Sequence, residues 1–280
     1  MPRCLLLLLA ALLAACAAPA EYSSAETVPQ SVQGDGPVQI PPVPVAGART
    51  APQPLPGWLR LPPGPGPHPV VILLHGCGGL GSNQTLWAKR LLEWGYGSLT
   101  VDSLKPRGTG SVCPPDKQPL VTRFDRAGDA IAAARWLAAV PRVDAGRIGV
   151  LGNSHGGATA ATLALREFEA QSGGLIRAVV NYYGPCREPA RQGDIPMLAL
   201  AGEDDDWSYP ARTCRSFQST LVGRKDVTVQ TYPGVVHSFD NPTLTQRRSS
   251  EGHAMQYDAA AAEDSFRRVR AFLARSLAPR

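Results

Sequence analysis

Charge is scarce and unclustered in this chain of 280 residues: Lys and Arg number 28, Asp and Glu 23, and charged side chains make up only 18% of the total. The formal net charge of +5 comes mostly from scattered arginines, with no long block of one sign, which argues against a nucleic-acid partner. No apolar run reaches the roughly 20 residues that a membrane-spanning helix needs. The six cysteines include no C-x-x-C spacing, so no zinc site is indicated, and there is no internal repeat. What is present is a hydrophobic content of 44%, distributed in short blocks. That is enough to bury a large core, and it excludes both a disordered tail and a miniprotein held by disulfides alone.

The N-terminus stands apart from the rest. Residues 1–15 combine a basic start at Arg3 with an apolar stretch from Cys4 to Ala15, the length of a signal-peptide core. The stretch ends in Leu13-Ala14-Ala15-Cys16, which resembles the processing box of bacterial lipoproteins. That resemblance implies export, lipidation of Cys16 and anchoring in the cell envelope, on the periplasmic or outer face. The simpler reading is an ordinary secretory signal cut in the nearby Ala-rich run, with Cys16 discarded or left free. Residues 16–36, rich in Ala, Ser, Gln and Gly without a period, read as the lipidated cysteine and a flexible spacer. Residues 37–280 then form one folded domain, opening with Pro-interrupted edge strands or extended chain.

From Val70 onward short apolar blocks alternate with longer helical stretches. Strands are predicted at 70–74, 98–101, 147–151, 178–182, 197–201 and 227–232. Helices are predicted at 124–139, 157–170, 212–221 and 259–277. This alternation implies an α/β fold, a mainly parallel sheet with helices on both faces, whose chemistry gathers at the carboxyl ends of the strands.

The residues just past each strand end are therefore the informative ones. After the strand ending at Leu151 comes Gly152-Asn153-Ser154-His155-Gly156-Gly157 and then a helix. A G-x-S-x-G in that context lifts a serine hydroxyl out at the top of the sheet on a turn that only small neighbours allow. The alternative is a glycine-rich turn whose serine caps the helix. A nucleophilic serine needs a base and the base an orienting acid, which come after it in the order Ser, acid, His. After Ala201 the chain reads Gly202-Glu203-Asp204-Asp205-Asp206-Trp207, where mutual repulsion prevents burial of all three aspartates and leaves one to face the site. After Tyr232 comes Pro233-Gly234-Val235-Val236-His237, with the imidazole in a loop where a general base belongs. Of the five histidines, His68 and His75 precede Ser154 and His155 adjoins it, which leaves His237 and, farther from any strand end, His253. The loop His75-Gly76-Cys77-Gly78-Gly79 supplies an oxyanion hole with the Cys77 N–H, and His155, after the nucleophile, supplies the second donor. Gly76, Gly78 and Gly81 with Asp102 also mimic a dinucleotide fingerprint, the basis of a rival reading as a nicotinamide-dependent oxidoreductase.

Taken together, His75-Gly-Cys-Gly-Gly, Val101-Asp-Ser with Pro106-Arg-Gly, Gly152-x-Ser-x-Gly-Gly, Gly202-Glu-x-Asp-Asp-Trp and His237-Ser-Phe-Asp resemble the dienelactone hydrolase family of α/β-hydrolases. The resemblance runs from about Trp58 to the C-terminus. It implies the α/β-hydrolase fold, Ser154 as nucleophile, Asp205 as acid and His237 as base, with Asp206 as the alternative acid. It implies no cofactor and no metal. The best-known members carry cysteine where this chain has Ser154, which favours general hydrolysis of small-molecule esters or lactones. A peptidase resembling the prolyl oligopeptidases and a non-catalytic envelope lipoprotein are the other readings.

Four cysteines remain in the domain. Pairing Cys77 with Cys113 and Cys186 with Cys214 joins loops expected at the same end of the sheet, each bridge worth roughly 3.5–4 kcal/mol in the chain-entropy model. The Pro- and Gly-rich loop at residues 102–122 reads as a lid or binding wall. On it Lys105 and Arg107 are expected to meet a substrate carboxylate, as basic groups do in the family it resembles. Tyr183 and Trp207 are expected to line the pocket.

Overall fold

The computed structural model describes residues 35–113, 120–221, 224 and 226–279. The expected signal peptide at 1–15, Cys16 and most of the spacer lie outside the described residues, as does part of the 102–122 loop.

Eight strands form one sheet in the order β1-β2-β4-β3-β5-β6-β7-β8. β1 (Gly36–Ile40) and β2 (Leu55–Arg60) are the antiparallel edge, β2 pairing antiparallel with β4 (Gly97–Val101). β3 (His68–Leu74), β5 (Val143–Asn153), β6 (Ile176–Tyr182), β7 (Met197–Gly202) and β8 (Val227–Tyr232) run parallel. This is the mainly parallel sheet that the alternating pattern predicts. The central strands read as continuous apolar runs because both faces are covered. One face packs under α2 (Arg123–Ala138), α3 (His155–Leu163), α4 (Arg166–Ser172) and α5 (Pro210–Thr220). The other packs under α1 (Ser82–Glu93) and α6 (Ala259–Ser276), with Trp87, Phe266 and Phe272 among the buried side chains. No helix is predicted between β3 and β4, yet parallel neighbours require a crossover, and α1 supplies it.

The helix expected over 157–170 is two helices. Leu165 is extended, and the Ala164 carbonyl accepts from the Gly193 N–H at 2.8 Å, a distant contact that interrupts the helical ladder. A small hairpin of β9 (Arg248–Ser250) and β10 (His253–Met255) lies beside the loop after β8, where His237 bridges to Met255. Both expected disulfides are present, Cys77–Cys113 and Cys186–Cys214.

Candidate active site

Ser154 sits between β5 and α3 with φ 56° and ψ −116°, a conformation few L-residues adopt and one that costs roughly 1–3 kcal/mol. The surroundings enforce it. The Ser154 N–H donates to the Tyr182 carbonyl at 2.8 Å, and a Cβ on Gly152 would run into the Gly156 carbonyl. Its side chain makes no capping bond to α3, so the serine is not there to cap the helix. The hydroxyl instead opens on a cleft of about 490 Å³.

Asp205 and His237 meet against two of the residues that line this cleft. His237 Nδ1 donates to Asp205 Oδ2 at 2.6 Å, and the second carboxylate oxygen accepts the Trp207 N–H at 2.9 Å, so both oxygens are engaged. Both residues are buried, at 2% exposure each. With Nδ1 as donor, the lone pair of the imidazole is at Nε2. The ring is wedged between Tyr183, centroids 4.6 Å apart, and Trp207 at 4.9 Å. Both aromatic residues line the Ser154 cleft, which ties the histidine to the serine through shared walls. Ser154 Oγ has no hydrogen-bond partner among the described residues. The His237 backbone is clamped on both sides by the hairpin, donating to Ala254 O at 3.3 Å and accepting from Gln256 N at 3.2 Å. Asp206 points away from this pair, toward water, and accepts from His253 Nδ1 at 3.1 Å.

The cleft is also lined by Cys77 and His155, the residues whose N–H groups were expected to face an oxyanion. His155 opens α3, where helix geometry leaves its N–H without an intrahelical acceptor. Burial, reinforced by the nearby Arg126 and Arg123 charges, pushes the His155 imidazole down to about 3, so it is neutral. Cys113, bridged to Cys77, and Val112 form part of the wall, so the 102–122 loop does border the cleft.

Lys105 and Arg107 do not reach it. Lys105 is exposed beside a separate depression that includes Gly78, Gly79 and Asp102. Arg107 turns inward and forms a two-point ion pair with Asp129 at 2.7 and 2.9 Å while donating to the Ser103 and Arg49 carbonyls. Both terminal nitrogens of its guanidinium are engaged away from the cleft, which corrects the substrate-binding expectation. The cations that do line the cleft are Arg123, which is paired with Glu188 at 2.7 Å, and the exposed Arg187. Neither was singled out in the sequence. In the dinucleotide mimic, Asp102 Oδ1 is taken up by its own turn, accepting from Leu104 N at 2.9 Å and Lys105 N at 3.0 Å.

Asp240, the last residue of the His237-Ser-Phe-Asp string, is a further residue to which the sequence assigns no role. Its buried carboxylate accepts from Tyr183 Oη at 2.7 Å, Trp87 Nε1 at 2.8 Å and Asn153 Nδ2 at 3.3 Å. Burial pushes this carboxyl up, against the opposing effect of the hydrogen bonds from Tyr183, Trp87 and Asn83. The network joins the residue before Ser154 to the ring that packs on His237. Among the described residues no group of three or more His, Cys, Asp and Glu could hold a metal ion.

The family model described as the dienelactone hydrolase family matches residues 55–277. No curated protein matches the chain significantly. Among solved structures, one similar protein comes from Klebsiella pneumoniae subsp. pneumoniae and is assigned as a dienelactone hydrolase, with 22% identity, 86% of this chain and 99% of that one covered, and a TM-score of 0.63. A dienelactone hydrolase-like promiscuous phosphotriesterase from metagenomic libraries has 22% identity, covers 87% and 99%, and scores 0.62. Esterase 2 of Thermogutta terrifontis, phosphorylated by paraoxon, has 18% identity, covers 89% and 97%, and scores 0.63. At these identities the likeness is one of fold.

Proposed function

Because this chain belongs to the dienelactone hydrolase family and is a hydrolase acting on ester bonds, we propose that it is an exported serine hydrolase of small carboxylic esters or lactones, with Ser154, His237 and Asp205 as its triad. The observation that carries the reading is the strained, uncapped Ser154 opening on a cleft whose aromatic walls also grip the buried His237–Asp205 pair.

Ser154 Oγ attacks the ester carbonyl carbon while His237 Nε2 takes its proton. Asp205 holds Nδ1 and stabilises the imidazolium that forms. The carbonyl oxygen becomes an oxyanion facing the Cys77 and His155 N–H groups, and such donors are each worth roughly 3–4 kcal/mol to a transition state. The imidazolium then gives its proton to the departing alcohol, leaving an acyl-enzyme. Water, deprotonated by the same histidine, releases the acid and restores the serine.

Paraoxon, which phosphorylates one structural relative, tests the nucleophile directly. One diethylphosphoryl group is expected on Ser154, found by peptide mass analysis, with loss of p-nitrophenyl ester turnover. A Ser154→Ala protein that keeps near-wild-type turnover would refute the assignment.

Export and a lipid anchor at Cys16 belong to the same proposal. Export is supported by the two disulfides, which persist in oxidising compartments, and the anchor by the Leu13-Ala14-Ala15-Cys16 box alone. The full chain is expected in the membrane fraction of its host, and Cys16→Ala in the soluble fraction. Equal partitioning of the two proteins would remove the anchor.

A further inference from the structure

Arg126 is the most deeply buried charge in the described part of the molecule, at 0% exposure on α2. Buried guanidinium groups are ordinarily matched by a carboxylate, since an uncompensated charge in the interior is strongly unfavourable. Here none lies within ion-pair distance among the described residues. Asp129, one turn further along the same helix, is held by Arg107 instead. Arg126 Nε has no partner. Burial lowers the guanidinium to about 10, partly offset by the more distant Asp129 charge, so it remains charged at neutral pH.

Its two directed bonds both reach the segments that carry the oxyanion donors. Nη1 donates to His155 Nδ1 at 2.7 Å, and Nη2 donates to the His75 carbonyl at 2.6 Å. Arginine offers only donors, so His155 Nδ1 is the acceptor and its hydrogen is on Nε2. This bond fixes the side chain of the residue whose own N–H is one donor. The second bond fixes the carbonyl at the start of the other donor loop.

That loop transmits the constraint. His75 is itself fully buried, and its Nδ1 pairs with the Gly76 carbonyl at 2.7 Å while Nε2 faces the Ser103 N–H at 3.4 Å. The Gly76 carbonyl and the Cys77 N–H belong to one planar peptide unit and point in opposite directions. Holding that carbonyl therefore aims the Cys77 N–H. The two donor segments also touch each other, since a Cβ on Gly156 would come within 2.6 Å of the His75 carbonyl oxygen.

We propose that Arg126 is a positioning residue for the oxyanion hole, bracing the Cys77 and His155 N–H groups against each other from behind through the His75 carbonyl and the His155 imidazole. The proposal rests on the reading of Ser154 as nucleophile. It separates the two tasks of the site: Asp205 orients the base, and Arg126 orients the donors that receive the negative charge.

The test uses the full chain and a p-nitrophenyl ester. Removing an oxyanion donor, or misplacing one by about an ångström, costs on the order of 100-fold in rate. Arg126→Met is therefore expected to lower kcat by roughly 30- to 100-fold with KM changed by less than about threefold, and Arg126→Lys to lie between it and the wild type. Binding of a trifluoromethyl ketone, which adds to the serine and places an oxyanion in the hole, should weaken in parallel with kcat, while the corresponding methyl ketone, bound as a ground state, should not. His155→Ala keeps the N–H and removes one anchor, so it carries the test if Arg126→Met fails to fold. It is expected to lower kcat about three- to tenfold, and where the double variant folds its loss should be smaller than the product of the two single losses. An unchanged ratio of trifluoromethyl ketone to methyl ketone affinity in every folded variant overturns the proposal. Ser154→Ala is assayed alongside: if it stays active the nucleophile is wrong, whereas an inactive Ser154→Ala beside a fully active Arg126→Met discards the brace alone.

Discussion

Two histidine–aspartate pairs stand side by side in this protein, built on the consecutive residues Asp205 and Asp206. His237 and Asp205 are 2.6 Å apart with side chains 3% and 0% exposed, whereas His253 and Asp206 are 3.1 Å apart with side chains 31% and 50% exposed. Trp207 lies between them, stacked on His253 at 5.0 Å and tilted on His237 at 4.9 Å. The same two residue types thus form one pair locked by a backbone donor, a hairpin clamp and two aromatic rings, and one pair open to water. What distinguishes the first pair from the second is enclosure, which leaves His237 and Asp205 no other geometry.

The largest expected effect comes from breaking the enclosed pair. Asp205→Asn leaves a neutral partner that stabilises the wrong imidazole tautomer, and kcat should fall on the order of 10⁴-fold with KM little changed. If Asp206→Asn produced that loss instead, the acid would be Asp206 and the base His253. An intermediate effect is expected at the ring they share. Trp207→Phe keeps the N–H that donates to Asp205 and shrinks the aromatic contact, worth about 0.5–1.5 kcal/mol, so turnover should drop roughly three- to tenfold in steady-state assays. The smallest effect belongs to the open pair. Asp206→Asn or His253→Ala should leave kcat within about twofold and cost at most about 1 kcal/mol in denaturant unfolding. High salt should erase even that difference, because exposed charges are screened. A large rate loss on His253→Ala at any salt concentration would mean that the hairpin acts on the chemistry through this pair.

The contrast also explains what could be read from the sequence. The elbow around Ser154 was legible because its chemistry is local: a strand, small residues at fixed offsets and a helix start, with Gly152 and Gly156 excluded from carrying side chains by their neighbours. The loops that carry Asp205 and His237 were legible because each comes directly after a strand. Composition could separate one useful aspartate from its neighbours only in principle, and it is burial that distinguishes Asp205 from Asp204 and Asp206. Contacts between distant segments were not legible. Arg107 stood on the loop that borders the cleft, but its partner Asp129 is on the next helix and turns it inward. Arg126 looked like one more basic residue in an alanine-rich helix, and nothing in its local pattern marks it as buried beneath His75 and His155. The break between α3 and α4 has the same origin, a carbonyl diverted to Gly193. Asp240 was visible in its motif, but its partners come from α1, β5 and the end of β6.

The two bridges pair the domain's cysteines in order of appearance, 77 with 113 and 186 with 214, closing spans of 36 and 28 residues. The loops therefore lie one after the other along the chain, neither enclosing nor interlacing with its neighbour. A polypeptide emerging N-terminus first into an oxidising space has its first two domain cysteines out, and free to join, before the third is exposed. Sequential oxidation then yields the native connectivity without any later exchange of partners, so the layout of the bridges suits a chain delivered as a thread and folded as it arrives.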